Sequence, residues 1–225
     1  MRIPLTKYGM PQLIIFPLIT LAVMAVVLFL PLPKIAVFSI ETVLAVIFIW
    51  ILSFFRDPHR TPPADTNLLL APADGTITDI ETVEENEYFS GNQLKIGIFL
   101  SVFDVHINRS PCSATVENTI YKPGRSKDAR NPDASKVNEA NDMIMIRTDT
   151  PPDKLLVRQI SGAVARRIVC TARHGQKLAG GQKFGMIKFG SRTELYIPQR
   201  GNIKCLVKKG EKVKAGITPL IRYQK

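Results

Sequence analysis

Leu13 to Leu32 is a run of 20 residues without a charge, and Ile35 to Phe55 is a run of 21 with one charge, Glu41. As a helix, either run is long enough to cross the hydrocarbon core of a bilayer. There every backbone N–H and C=O must bond within its own segment, which leaves the helix as the available structure. "PLPK", residues 31–34, makes a tight break between the runs, and Pro17 is placed to kink the first. The expected arrangement is a transmembrane helical hairpin over residues 1–55; the alternative is one span plus a buried helix. A cleavable signal peptide fits less well, because the apolar region is too long and no A-x-A-like site follows it.

Flanking charge orients the hairpin. Arg2 and Lys7 precede the first run, Arg56 and Arg60 follow the second, and Lys34 alone lies between them. Excess positive charge marks the cytoplasmic side, so both ends, and everything after residue 56, are expected on the cytoplasmic face of the cell's inner membrane. The chain carries a formal net charge of +11, of which residues 1–55 supply +2 and the remainder +9. A basic unit tied to a membrane faces anionic headgroups, so anionic phospholipid rather than nucleic acid is the expected partner. The three cysteines, Cys112, Cys170 and Cys205, are widely spaced and form no CxxC. They indicate neither a disulfide framework nor a metal site.

"RDPHRTPPADT", residues 56–66, reads as a proline-rich linker. Residues 67–225 read as mainly β. "LKIGIFLSVFDVHIN" is apolar on both parities, as in a strand buried on both faces, and "DMIMIRT" and "KLLVRQI" are shorter strand candidates. Residues 121–141 are polar, basic and rich in turn formers, which is long for a plain connection. A weak repeat matches Gly175, Leu178 and Gly181 to Gly210, Val213 and Gly216, and "ADGTI" and "SGAVA" both pair a glycine turn with a small apolar strand start. This punctuation resembles the hairpins of barrel-sandwich folds. The expected fold is therefore a barrel-sandwich-like β domain behind a helical hairpin.

Of the three histidines, His59 lies in the linker and His174 in a glycine turn, where surface roles are the default. His106 ends the most apolar strand, close to Asp104, Asn108 and Arg109. It is either a satisfied core residue or a general base. Asp74 sits in an Asp-Gly turn, an ordinary turn pair that could also orient a histidine. "GMIKFGSRTELYIP", residues 185–198, has strand-like ends around Gly190-Ser191. The serine is either turn punctuation or a nucleophile.

"APADG", "FLSVFDVHINRSP", "NEAN" and "FGSR" stand in an order and rough spacing that resembles the phosphatidylserine decarboxylase proenzymes in their short, membrane-anchored form. The likeness covers nearly the whole chain. There are departures. Phe189-Gly190-Ser191-Arg192 stands where the family often has Leu-Gly-Ser-Thr, and Ala140 stands where many members have arginine. Phe103 stands where longer members carry a second histidine.

The resemblance implies a self-processing carboxy-lyase of phospholipid biosynthesis. Ser191, deprotonated by His106 with Asp74 in support, attacks the Gly190 carbonyl, and the chain is cut between 190 and 191. Ser191 becomes a pyruvoyl group, whose ketone condenses with the substrate amine and draws off the electrons of the bond to the carboxylate. No metal is implied. Asn108, Arg109 and Asn141 are the implied substrate-binding residues, and the working form would pair the chain's two cleavage products, with any higher oligomer left open. Three other readings remain at this level: an ether-lipid (archaetidylserine) decarboxylase, a non-catalytic membrane-anchored module, and a serine hydrolase. No G-x-S-x-G elbow surrounds Ser191 to support the last.

Overall fold

The computed structural model describes residues 4–84, 87–131, 133–163, 167–188 and 190–224. Phe189 and most of the second half of "SGAVA" therefore lie outside the described residues. The chain forms two units, Met1–His59 and Arg60–Lys225.

The first unit is an apolar helical hairpin, α1 (Met10–Leu28) and α2 (Lys34–Phe54), and both helices are long and apolar enough to cross a membrane. Pro17 lies inside α1. The hydroxyls of Thr20, Ser39 and Thr42 each donate to the carbonyl four residues back, so none needs water. The base of the hairpin is closed by chain pairing: the Thr6 N–H donates to the Phe55 carbonyl at 2.9 Å, and the Asp57 N–H to the Pro4 carbonyl at 2.6 Å. Gly9 lies against the Phe55 ring, where a Cβ would come within 2.2 Å.

The second unit is mainly β. Its strands are β1 (Leu68–Leu70), β2 (Gly75–Glu84), β3 (Asn92–Leu100), β4 (Ile107–Arg109), β5 (Ala114–Lys122), β6 (Ala140–Arg147), β7 (Lys154–Ser161), β8 (Ile168–Cys170), β9 (Lys177–Leu178), β10 (Lys183–Ile187), β11 (Ser191–Pro198), β12 (Ile203–Cys205), β13 (Lys212–Val213) and β14 (Pro219–Tyr223). A four-residue helix, α3 (Ala134–Val137), lies between β5 and β6. Eight strands form one antiparallel sheet in the order β13-β2-β3-β11-β7-β6-β5-β9, and two three-stranded sheets, β1-β14-β12 and β4-β10-β8, accompany it. Leu69, Ile96, Ile98, Met143, Val157, Phe184, Leu195 and Ile221, drawn from all three sheets, share one core.

The repeat read from the sequence is structural. Gly175, Gly181, Gly210 and Gly216 all have positive φ, between 69° and 90°. Each pair brackets a two-residue strand, and these strands, β9 and β13, close the opposite edges of the large sheet. Arg173 and Lys208 occupy matching positions, each N–H capped by the side chain three residues on, Gln176 or Glu211, at 3.1 Å.

One expectation fails. "LKIGIFLSVFDVHIN" is not a continuous strand: β3 ends at Leu100, and β4 begins at Ile107. The Ser101 N–H donates to Asp104 Oδ2, and the Asp104 N–H to the Ser101 carbonyl, both at 2.8 Å. These bonds fold the middle of the apolar run into a turn. Phe103, 71% exposed, is carried on it.

Candidate active site

β11 is a central strand, and its first residue is Ser191, paired with Leu100 of β3 on one side and Ser161 of β7 on the other. Ser191 is fully buried, and its Oγ has no hydrogen-bond partner among the described residues. A buried hydroxyl left unpaired costs about 1–3 kcal/mol, so its presence calls for a reason. Directly across the sheet, the Ser161 hydroxyl is also buried and unpartnered among the described residues.

Gly190 has φ +69°, in the left-handed region. Among the described residues a Cβ there would meet Val102 Cγ1 alone, at 3.8 Å, so the glycine serves conformation rather than space. Its carbonyl oxygen lies against Gly162, where a Cβ would sit 2.3 Å away. The backbone of Gly162 thus closes over the carbonyl that joins Gly190 to Ser191.

His106 is buried just before β4. Its Nδ1 is 3.0 Å from the Asp104 carbonyl, so this nitrogen carries the proton and donates. Nε2 is left as an acceptor and receives the Gly190 N–H at 3.4 Å. The basic nitrogen therefore lies at the Gly190-Ser191 dipeptide, and the group that sets the tautomer is a backbone carbonyl from the turn after β3.

Asp74 is placed differently from a histidine-orienting carboxylate. Its Oδ1 accepts from Arg60 Nη1 at 2.5 Å and from the Ala215 N–H at 2.8 Å, and its Oδ2 from Arg60 Nη2 at 2.7 Å. It precedes β2, whose Thr76 pairs with Phe99, one residue before the strand partner of Ser191.

Asn108, Arg109 and Asn141 are buried with polar atoms already engaged. Asn108 Nδ2 donates to Thr193 Oγ1 at 3.0 Å, Gln159 Nε2 to Asn108 Oδ1 at 2.8 Å, and Asn141 Nδ2 to Gln159 Oε1 at 3.1 Å. Arg109 Nη1 donates to the Gly181 carbonyl at 3.1 Å. The amides form a chain beneath the first residues of β11, with Gln159 as a member that no motif had pointed to.

Two further residues escaped the sequence reading. Gly162 carries no chemistry, and only its approach to the Gly190 carbonyl gives it meaning. Lys188 is buried two residues before Gly190, its N–H bonded to the Arg167 carbonyl at 3.2 Å. Burial, then the nearby Arg167 charge, push its ammonium below the usual lysine range. His174 is exposed and bonds the Glu117 carbonyl at 2.6 Å, as a surface residue would.

Comparison with known proteins shows the family. A family model described as phosphatidylserine decarboxylase matches residues 47–220. The phosphatidylserine decarboxylase proenzyme of Carboxydothermus hydrogenoformans is 43% identical over 178 residues, 79% of this chain and 82% of the relative. That of Trichlorobacter lovleyi is 45% identical over 187 residues, 83% of this chain and 82% of the relative. That of Rhodopirellula baltica is 37% identical over 222 residues, 99% of this chain and 89% of the relative. The family model covers most of the chain, and the chain belongs to the phosphatidylserine decarboxylase family.

Proposed function

We propose that this chain cuts itself between Gly190 and Ser191 and then decarboxylates phosphatidylserine to the ethanolamine lipid. Two observations carry the reading together: Ser191 Oγ is buried and has no partner among the described residues, and His106 Nε2 accepts the N–H of the residue before it, Gly190. The family implies a pyruvoyl group, and this position fits its formation. The hydroxyl has no competing bond among the described residues, and Gly190 holds the left-handed conformation without strain.

His106 Nε2 takes the Ser191 proton, and Oγ attacks the Gly190 carbonyl carbon. The C–N bond breaks, the new amine takes up the proton, and an ester joins the two residues. Loss of the Ser191 α-proton then breaks the ester C–O bond. Residue 190 ends in a carboxylate, and residue 191 becomes dehydroalanine, which gains water and loses ammonia to leave a ketone. That ketone supplies an electron sink for the bond between the substrate's Cα and its carboxylate. His106 holds the proton that replaces the departing carboxylate.

Asp74 supports the site by fixing Arg60 and the Ala215 N–H beside the entry to β2. Asn108, Arg109 and Asn141 remain the residues for substrate binding, and each also spends a side-chain nitrogen on a partner within the protein, which fixes it in place. The two products stay together as one β unit, since 191–225 supplies β11 to the large sheet and β14 to the small one. The hairpin holds this unit at the cytoplasmic face of the inner membrane.

The test is the mass of the purified full-length protein, with CO₂ release from phosphatidylserine vesicles and from free serine. Fragments 1–190 and 191–225 are expected, the second closed to amino-terminal sequencing. Ser191→Ala stays whole. An intact single chain in active material rejects the cleavage, and equal turnover of free serine rejects the lipid substrate.

A further inference from the structure

A cut before Ser191 turns the reacting residue into a chain end, and chain ends fray unless tied down. The next residue is tied in several directions. Arg192 Nε donates to Glu194 Oε1 and Nη1 to Thr78 Oγ1, both at 2.7 Å. Nη2 reaches both carboxylate oxygens of Asp79, at 2.5 and 2.7 Å. To do so the guanidinium crosses β3 at Gly97, where a Cβ would lie 2.2 Å from Nη2 and 2.6 Å from Asp79 Oδ1. β2 shifts its register between Ile77 and Asp79 at this crossing. Glu194 is fully buried, and its Oε2 accepts from Tyr196 Oη at 2.7 Å and from Ser135 Oγ of α3 at 2.8 Å.

Side chains alternate along a strand, so Arg192 and Glu194 occupy the face of β11 opposite Ser191 and Thr193. Thr193 holds the inner face through Asn108. The outer clamp thus grips the strand one residue from the reacting centre without reaching the reacting atoms.

We propose that Arg192 is a positioning residue for decarboxylation: with Thr78, Asp79 and Glu194 it holds residue 191 in place once the peptide bond before it is gone. The proposal rests on the self-cleavage reading above. Before the cut, the chain itself fixes residue 191 from the amino-terminal side. Afterwards that restraint is lost, and the clamp is the nearest side-chain tether. Its loss should therefore weaken turnover far more than processing.

The experiment compares full-length wild type with Arg192→Met, Arg192→Lys and Asp79→Asn. Arg147→Met serves as a control, because Arg147 is an equally buried arginine, bonded to the carbonyls of Thr66, Asp149 and Pro151. Cleavage is read by mass, turnover on phosphatidylserine vesicles as kcat and KM, and stability by thermal unfolding. All four variants should cleave. Arg192→Met should lose about 10²-fold in kcat with KM unchanged, the scale at which small misplacement acts. Arg192→Lys keeps the charge but cannot span three partners, and should fall between. Arg147→Met should lose stability and keep kcat. If Arg192→Met precipitates, Asp79→Asn, which keeps the volume and removes the charge, carries the same comparison. Wild-type kcat in the clamp variants, or an equal kcat loss in Arg147→Met, overturns the proposal in favour of a plain strut. A wild-type chain that stays whole rejects the cleavage reading and the clamp with it.

Discussion

Gly190 separates conformation from space at the proposed cut. Alanine fits beside Val102, yet at φ +69° an L-residue bears about 1–2 kcal/mol of strain. Gly190→Ala should fold, let φ drift negative, and turn its carbonyl away from Ser191. Precursor should then accumulate in a time course followed by gel, and cleavage at the wild-type rate would show that the left-handed conformation is no part of the attack. His106→Ala should slow the cut further, by about 10²–10⁴-fold, as expected for loss of a general base. Asp104→Asn should slow it less, because the atom that sets the histidine tautomer is the Asp104 carbonyl and survives the change. Ser191 and His106 were legible as candidates because few residue types do this chemistry and each stands in a telling context. Gly162 was not legible, since a glycine's closeness to a carbonyl 28 positions on has no local signature.

Two carboxylates on the strands around β11, the half-buried Asp79 and the fully buried Asp142, set the acid behaviour of the β unit. Burial pushes the Asp79 carboxyl up, but hydrogen bonds from Arg192 and Thr78, with the Arg192 and Lys95 charges, outweigh it and hold it below the ordinary value of 3.8. At Asp142 the same contest is won by Arg158 and Lys122. A carboxyl held low in the folded state binds fewer protons there than in the unfolded chain. Its stabilisation is therefore present above the unfolded value and is lost as pH falls through the folded one. The urea midpoint should stay flat from neutral pH to the ordinary carboxylate range and then fall steeply. Asp79→Asn should lower the plateau and flatten part of that fall; an unchanged acid limb would remove Asp79 from this role. At this scale the sequence was uneven. The glycine repeat marked matching turns, because positive-φ turns demand glycine whatever surrounds them, but the place of β9 and β13 at the sheet edges had no local sign. The break between β3 and β4 stayed hidden, because one side chain, that of Asp104, and one backbone bond fold a turn inside an apolar run. The Asp79–Arg192 pair stayed hidden too, joining residues 113 positions apart across a third strand.

The hairpin and the basic β unit together define how the whole chain meets its surroundings. The two apolar helices were legible from length and composition, which act without tertiary context. A cysteine placed at Lys34 should react with impermeant reagents only from outside the cytoplasmic membrane, and labelling from the cytoplasm would refute the proposed topology. Exposed charge is screened over about 8 Å at physiological ionic strength. Rising salt should therefore raise the apparent KM for anionic vesicles while leaving kcat nearly constant; an equal fall in both would detach the +9 charge of residues 56–225 from substrate capture. The placing of β11 bears on events in the living cell. This strand is made late yet lies between two made earlier, β3 and β7, so the Gly190-Ser191 dipeptide comes up to His106 only once the strand has entered the sheet. On the proposed chemistry, a nascent or misfolded polypeptide carries no reactive ketone. Maturation then doubles as an inspection, and only molecules that have finished folding become able to alter the lipids around them.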